Sequence, residues 1–258
     1  MLSTAQGKAP VVTSHLATAM YGMRLRFGAA LCSGPTDDII DKFAKSLDME
    51  GSDIAALTSM SLDPSDPSRL RRPMVVRGYN WEDEFMAIVA LLQDPTLGDN
   101  AGPINPKRWD GKSAWKLHLS VAYWTLVLLE SVAVRGLTSA DKEALHERKG
   151  IADTDNAVEE LRAVATGNMC WAEYEATEAF PHMQDLVEIM MKVVIEIADM
   201  LCTTPALTDS CDVYSNWKEN RARCLAVDGA GSMGRADLYT VWGNTFMPAS
   251  SPRSLGPK

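Results

Sequence analysis

The chain has 258 residues and a formal net charge of −9, with 46% hydrophobic and 23% charged residues. That length accommodates one large domain or two small ones, with a core that needs neither disulfides nor metal. The composition is that of an ordinary globular chain, and the acidic balance disfavours simple attraction of the whole chain to nucleic acid or to an anionic membrane, though not to a partner that touches only its basic segments.

The five cysteines, Cys32, Cys170, Cys202, Cys211 and Cys224, are odd in number and scattered, with no C-x-x-C pair. They predict small core residues in a reducing compartment. The first ten residues show no basic stretch followed by an apolar run, and the best apolar run, 121–134, is interrupted by Glu130. A cytoplasmic protein without a membrane span is expected.

In chain order the periodicity is helical almost throughout. Residues 11–32 read as a helix, with Leu16, Met20, Met23 and Phe27 on one side. Thr36, Asp37 and Asp38 signal the start of a second, carrying Ile39, Ile40, Phe43 and Leu47. Ser52 is read as the cap of a short helix with Ile54, Leu57 and Met60. Three prolines within 63–73 mark a loop. Asn80 caps the next helix, which ends near Pro95, and a long loop follows to Lys112. Residues 113–135 are apolar nearly all round and predict a central core helix containing His118 as an interior imidazole. Further helices are expected at 139–148, 154–166, 169–180, 181–201 and 210–227, with a short one at Arg235–Trp242 and a mobile tail. The sequence shows no convincing strand pair, so the expected fold is all-α, a bundle of eight to ten helices with long loops. Its parts are read as 1–62, 63–112 (loop-rich, with one helix), 113–234 (the main bundle) and 235–258 (a C-terminal arm).

One motif could contradict an all-α reading. Gly229-Ala230-Gly231-Ser232-Met233-Gly234 spells G-x-G-x-x-G. A dinucleotide turn needs a strand before it, a helix after it and a ribose-binding acid on a second strand. Too few residues follow Gly234 for that second strand, and none beyond Asp237 is acidic. Gly229, Gly231 and Gly234 are therefore read as a hinge after the 210–227 helix, with Gly229 left-handed. A nest for one phosphate at Gly231, Ser232 and Arg235 stays open as an alternative. Metal chemistry has no support: His15, His118, His146 and His182 pair with no other ligand at metal-binding spacing. The sequence contains no G-x-S-x-G, no P-loop G-x-x-x-x-G-K-[ST] and no kinase motif set. No catalytic residue, metal or cofactor is assigned, and no dinucleotide is expected as a partner.

Three basic segments remain. Arg69, Arg71, Arg72 and Arg77 lie in a proline-bounded stretch. Lys107, Arg108, Lys112 and Lys116 interleave with Trp109 and Trp115, and Lys218, Arg221 and Arg223 follow Trp217. Cations beside aromatic rings suit single-stranded RNA, tracked along its backbone with bases stacked; solubilising charge beside core tryptophans is the plainer alternative. In style the chain resembles helical nucleoproteins and filament coat proteins of RNA viruses, and its mild alanine, serine and proline enrichment is similar to that of the proline-alanine-serine-rich proteins of fungal viruses. The resemblance implies an RNA-coating or capsid-forming protein that self-associates through helices and terminal arms, in the cytoplasm or a virion. The alternatives are a helical interaction scaffold without nucleic acid and a helical-bundle enzyme.

Overall fold

The computed structural model describes residues 28–60, 72–103, 115–134 and 156–243. In chain order they form β1 (Ala29–Ser33), α1 (Asp37–Ser59), β2 (Val75–Arg77), α2 (Trp81–Gln93), α3 (Val121–Leu128), α4 (Asn156–Thr166), α5 (Trp171–Glu175), α6 (Met183–Ile197), β3 (Met200–Thr203), α7 (Pro205–Ser210), α8 (Asp212–Asn220), β4 (Ala222–Val227) and α9 (Arg235–Trp242). The strands make one sheet in the order β2-β3-β1-β4, parallel throughout. The all-α expectation is overturned: the protein is α/β. The sheet takes β1 from the 1–62 part, β2 from 63–112, and β3 and β4 from 113–234.

The strands escaped notice for a physical reason. Every residue of β2 and β3 is buried, and β1 is buried from Ala30 onward. A strand covered on both faces reads as a short apolar run and loses the alternation that marks a half-exposed strand. Each run also abuts a helical segment. Of the predicted 11–32 helix, residues 11–27 lie outside the described residues and Ala29 to Cys32 belong to β1, while the 181–201 helix ends at Ile197 before β3. The 210–227 helix divides into α7, α8 and then β4.

The crossover from β1 to β2 runs one way along the sheet, and those from β2 to β3 and β3 to β4 run the other way. Right-handed crossovers of opposite direction lie on opposite faces. α1 accordingly packs on β1, β2 and β3, while α3 and α8 pack against α6, and α7 against both α8 and α9. Leu31, Phe43, Leu47, Val76, Trp124, Met191, Val194, Leu201 and Tyr214 fill the interior.

Local chemistry explains most helix limits. Asn80 accepts from the N–H groups of Glu82 and Asp83, as its cap role predicts. α1 runs on through Ser52, whose hydroxyl donates to the Asp48 carbonyl at 2.8 Å instead of capping a new helix. α3 is only eight residues long. The Ser120 hydroxyl oxygen caps it, and Leu119 (φ 67°) and Glu130 (φ 58°) break the backbone on either side. His118 is thereby exposed, its ring edge-on to Tyr123, and is not the interior imidazole expected. The predicted helix at 139–148, the 63–71 loop and the tail from 244 lie outside the described residues. Among the described residues no helix is long and apolar enough to cross a membrane.

Candidate ligand site at the carboxyl edge of the sheet

In open α/β sheets, ligands sit beyond the carboxyl ends of the strands, where neighbouring connections part to opposite faces. Here that place is the end of β1, whose chain leaves toward α1, while β3 and β4 on either side lead to the α7–α8–α9 layer. The Asp228 N–H donates to the Ser33 carbonyl at 2.9 Å, which binds the end of β4 to the end of β1. The loops beyond touch: a Cβ added at Gly34 would lie 3.1 Å from the Asp228 carbonyl oxygen, with Ile39 and Ile40 equally close. Gly229 (φ +68°) presses on Pro35 in the same way. Ser33 and Thr203 are fully buried and structural, the hydroxyl of Ser33 donating to the Thr203 carbonyl and that of Thr203 to the Gly78 carbonyl.

Two groups at this edge are short of partners among the described residues. The first is the amino end of α1, a helix of 23 residues. The Thr36 side chain makes no capping bond, and the first helical hydrogen bond runs from Ile40 N–H to the Thr36 carbonyl. The N–H groups ahead of it carry the positive end of the helix dipole. The second is Asp228, only 6% exposed, whose carboxylate accepts from the Gly229 N–H and pairs with no described cation. Burial raises its pKa above the ordinary aspartate value, and the Gly229 bond pulls it partly back. Paired residues Arg77, Cys202, Cys32 and Ala226 share one face of the pleat. Arg77 reaches α1 from that face, and Asp228, two residues beyond Ala226, falls on the same side. The carboxylate and the helix terminus thus stand on one face at one edge.

Arg77 fixes the helix terminus in place. Its side chain is 1% exposed; it donates to Asp37 at 2.7 Å and Asp41 at 2.8 Å, and its guanidinium carbon lies 3.9 Å over the Tyr79 ring. Tyr79 in turn donates its hydroxyl to Asp41. Burial opposes the guanidinium charge, but Tyr79, Asp41 and Asp37 together hold its pKa raised. Arg77 was expected to meet RNA and faces inward instead. Arg72 pairs with Asp48 beside the same helix, and Lys116 with Asp99 at 3.3 Å. Lys218 is buried and donates to the Thr240 carbonyl of α9 at 2.7 Å. Arg221 and Arg223 are exposed at the amino end of β4, the opposite edge from Asp228. Arg69, Arg71, Lys107, Arg108, Trp109 and Lys112 lie outside the described residues. Of the described candidates, Arg77 and Lys218 are thus buried inside the fold.

The glycine motif precedes the expected helix at Arg235–Trp242, but it follows a parallel strand and not the helix that was expected. Gly229 is left-handed as predicted, but it closes β4 and not a helix. Beyond it the Ser232 N–H and hydroxyl both donate to the Gly229 carbonyl, and the Gly234 N–H donates to Asp237 at 3.2 Å. α9 is therefore capped by its own carboxylate, which competes with any phosphate at Gly231, Ser232 and Arg235. The sequence reading missed Asp228 altogether. Its signal was the run Cys224-Leu225-Ala226-Val227 ending in Asp-Gly, a strand running into a turn. Compared with family models, curated proteins and solved structures, the chain matches none.

Proposed function

We propose that this α/β domain binds a nucleotide-like phosphate ligand, chelated to a divalent cation, at the carboxyl edge of β1 and β4. The observation that carries the reading is Asp228: a buried carboxylate without a cation, beside the open terminus of α1. A helix amino end attracts phosphate. Asp37, Asp38, Asp41 and Asp228 make the edge acidic, and Arg77 is already neutralised, so a bare anion is repelled. A phosphate that brings its own cation suits both features. Magnesium commonly takes one or two carboxylates and fills its remaining positions with phosphate oxygens and water. A carboxylate at the strand edge is how P-loop enzymes hold it. Asp228 would hold the cation, and the backbone N–H groups after Thr36 would face the phosphate.

The chain lacks the P-loop motif, and the reading is of binding. Calorimetry with ADP and ATP tests it. Binding is expected with magnesium and lost with a chelator. Binding that ignores magnesium, or no binding, overturns the reading.

A second reading, single-stranded RNA held along basic segments, is favoured by the exposure of Arg221 and Arg223. It requires a steep fall in RNA affinity with salt, and a further loss when both arginines become alanine.

A further inference from the structure

α1 is longer than the sheet it covers. Arg77, the last residue of β2, holds Asp37 and Asp41 at the carboxyl edge. Gly51 reaches the opposite edge, where it lies so close to Pro73, two residues before β2, that a Cβ would overlap the proline ring. The helix then runs on to Ser59, eight residues or about 12 Å past that edge. Its outer side there is apolar and uncovered. Met49 is 56%, Leu57 69% and Met60 81% exposed, and Ala56 is exposed between them. Positions 49, 53, 56, 57 and 60 recur every three or four residues and so share one side of a helix. Asp53, also exposed, is the charged member of the series. Apolar residues scattered singly on a surface are ordinary, but several on one stripe mark a contact face.

We propose that residues 11–27 of the same chain cover this stripe as an amphipathic helix antiparallel to α1. The spacing fits: Leu16, Met20, Met23 and Phe27 repeat at intervals of 4, 3 and 4, as do Met49, Asp53, Ala56 and Met60. Each series spans eleven residue steps, about 16 Å of helix. The attachment fits as well. Phe27 is joined through Gly28 to the amino end of β1, at the edge past which α1 projects. Gly28 is left-handed (φ +68°) and packs on Arg223, which turns the incoming chain at that edge. A tether this short gives the segment an effective concentration of about millimolar at the stripe, which favours it over a second copy. Charge agrees: residues 11–27 hold Arg24 and Arg26 and no acid, while residues 49–60 hold Glu50 and Asp53 and no base. α1 heads away from the edge and the segment returns to it, so the two helices run in opposite directions. Phe27 then lies beside Met49, Arg24 near Asp53, Met20 near Leu57 and Leu16 near Met60.

Photo-crosslinking in the full chain tests this. Benzoyl-phenylalanine in place of Met20, in an equal mixture of ¹⁴N and ¹⁵N chains, is expected to join residues 53–60 of its own chain. Links that mix the isotopes would put a second copy on the stripe. Those links, links to other residues, or no link at all overturn the proposal. Hydrogen exchange gives an independent reading. Met20→Asp is expected to lower protection of the amides from Ile54 to Leu57 about tenfold, the scale of uncovering one large apolar side chain, and to leave those from Phe43 to Leu47 unchanged. Adding Leu57→Lys is expected to restore protection by pairing the two charges across the contact. Unchanged protection in Met20→Asp, or no recovery in the double variant, overturns the proposal.

Discussion

Replacing Arg77 by methionine removes a guanidinium from the interior while keeping most of its aliphatic stem. Breaking a fully buried ion pair from one side costs about 3–5 kcal/mol. Here Asp37 is 41% and Asp41 25% exposed, so water recovers part of their solvation and the ionic loss drops to about 2 kcal/mol. The contact with the Tyr79 ring adds about 1 kcal/mol. The sum, near 3 kcal/mol, is a large share of the stability of an ordinary domain. Urea unfolding should show a lower midpoint with an unchanged slope. Combining the change with Asp41→Asn should give a coupling energy of about 1–2 kcal/mol. A loss below about 0.5 kcal/mol without coupling would mean that Arg77 does not staple β2 to α1.

Gly34→Ala places a methyl 3.1 Å from the Asp228 carbonyl oxygen, Ile39 and Ile40, and should cost about 1–3 kcal/mol in urea unfolding. Glu84, fully buried in α2, is expected to make stability depend on pH, because burial raises its carboxyl from 4.5 to about 7 against four N–H donors that favour the ionised form. Its raised value means that the contribution is fully present below 4.5 and gone above about 7, so thermal midpoints should fall across that window and flatten in Glu84→Gln. Lys218→Met removes the bond to the Thr240 carbonyl and should speed amide exchange throughout α9 while leaving the sheet protected.

The helices were largely legible because their signals are local. Asn80 with Glu82 and Asp83 marks α2, Thr36 with Asp37 and Asp38 marks α1, and Arg235–Trp242 appears with the predicted bounds. The sheet was not legible because β1, β2 and β3 are three to five residues long and buried on both faces, so their identity rests on partners far away in the chain. Ala222–Val227 does alternate, buried then more exposed, as befits an edge strand. Its clue was obscured by small residues and by α8 immediately before it. The basic residues illustrate the same limit. Nothing within Arg71-Arg72-Pro73-Met74-Val75-Val76-Arg77 discloses that Arg72 and Arg77 find Asp48, Asp37 and Asp41 on a helix that precedes them. Asp228 is legible only once β4 is seen to lie beside β1. The likeness to helical nucleoproteins leaned on an all-α body, which the parallel sheet replaces.

The central claim is that a cation-bound phosphate ligand sits on Asp228 at the carboxyl edge. Manganese in place of magnesium, added with nucleotide, reports the cation's position by broadening nearby amide resonances. The account predicts that Gly34, Thr36 and Gly229 broaden first, and that Asp228→Asn abolishes this while leaving the spectrum folded. Broadening centred elsewhere, or unchanged in Asp228→Asn, would contradict it.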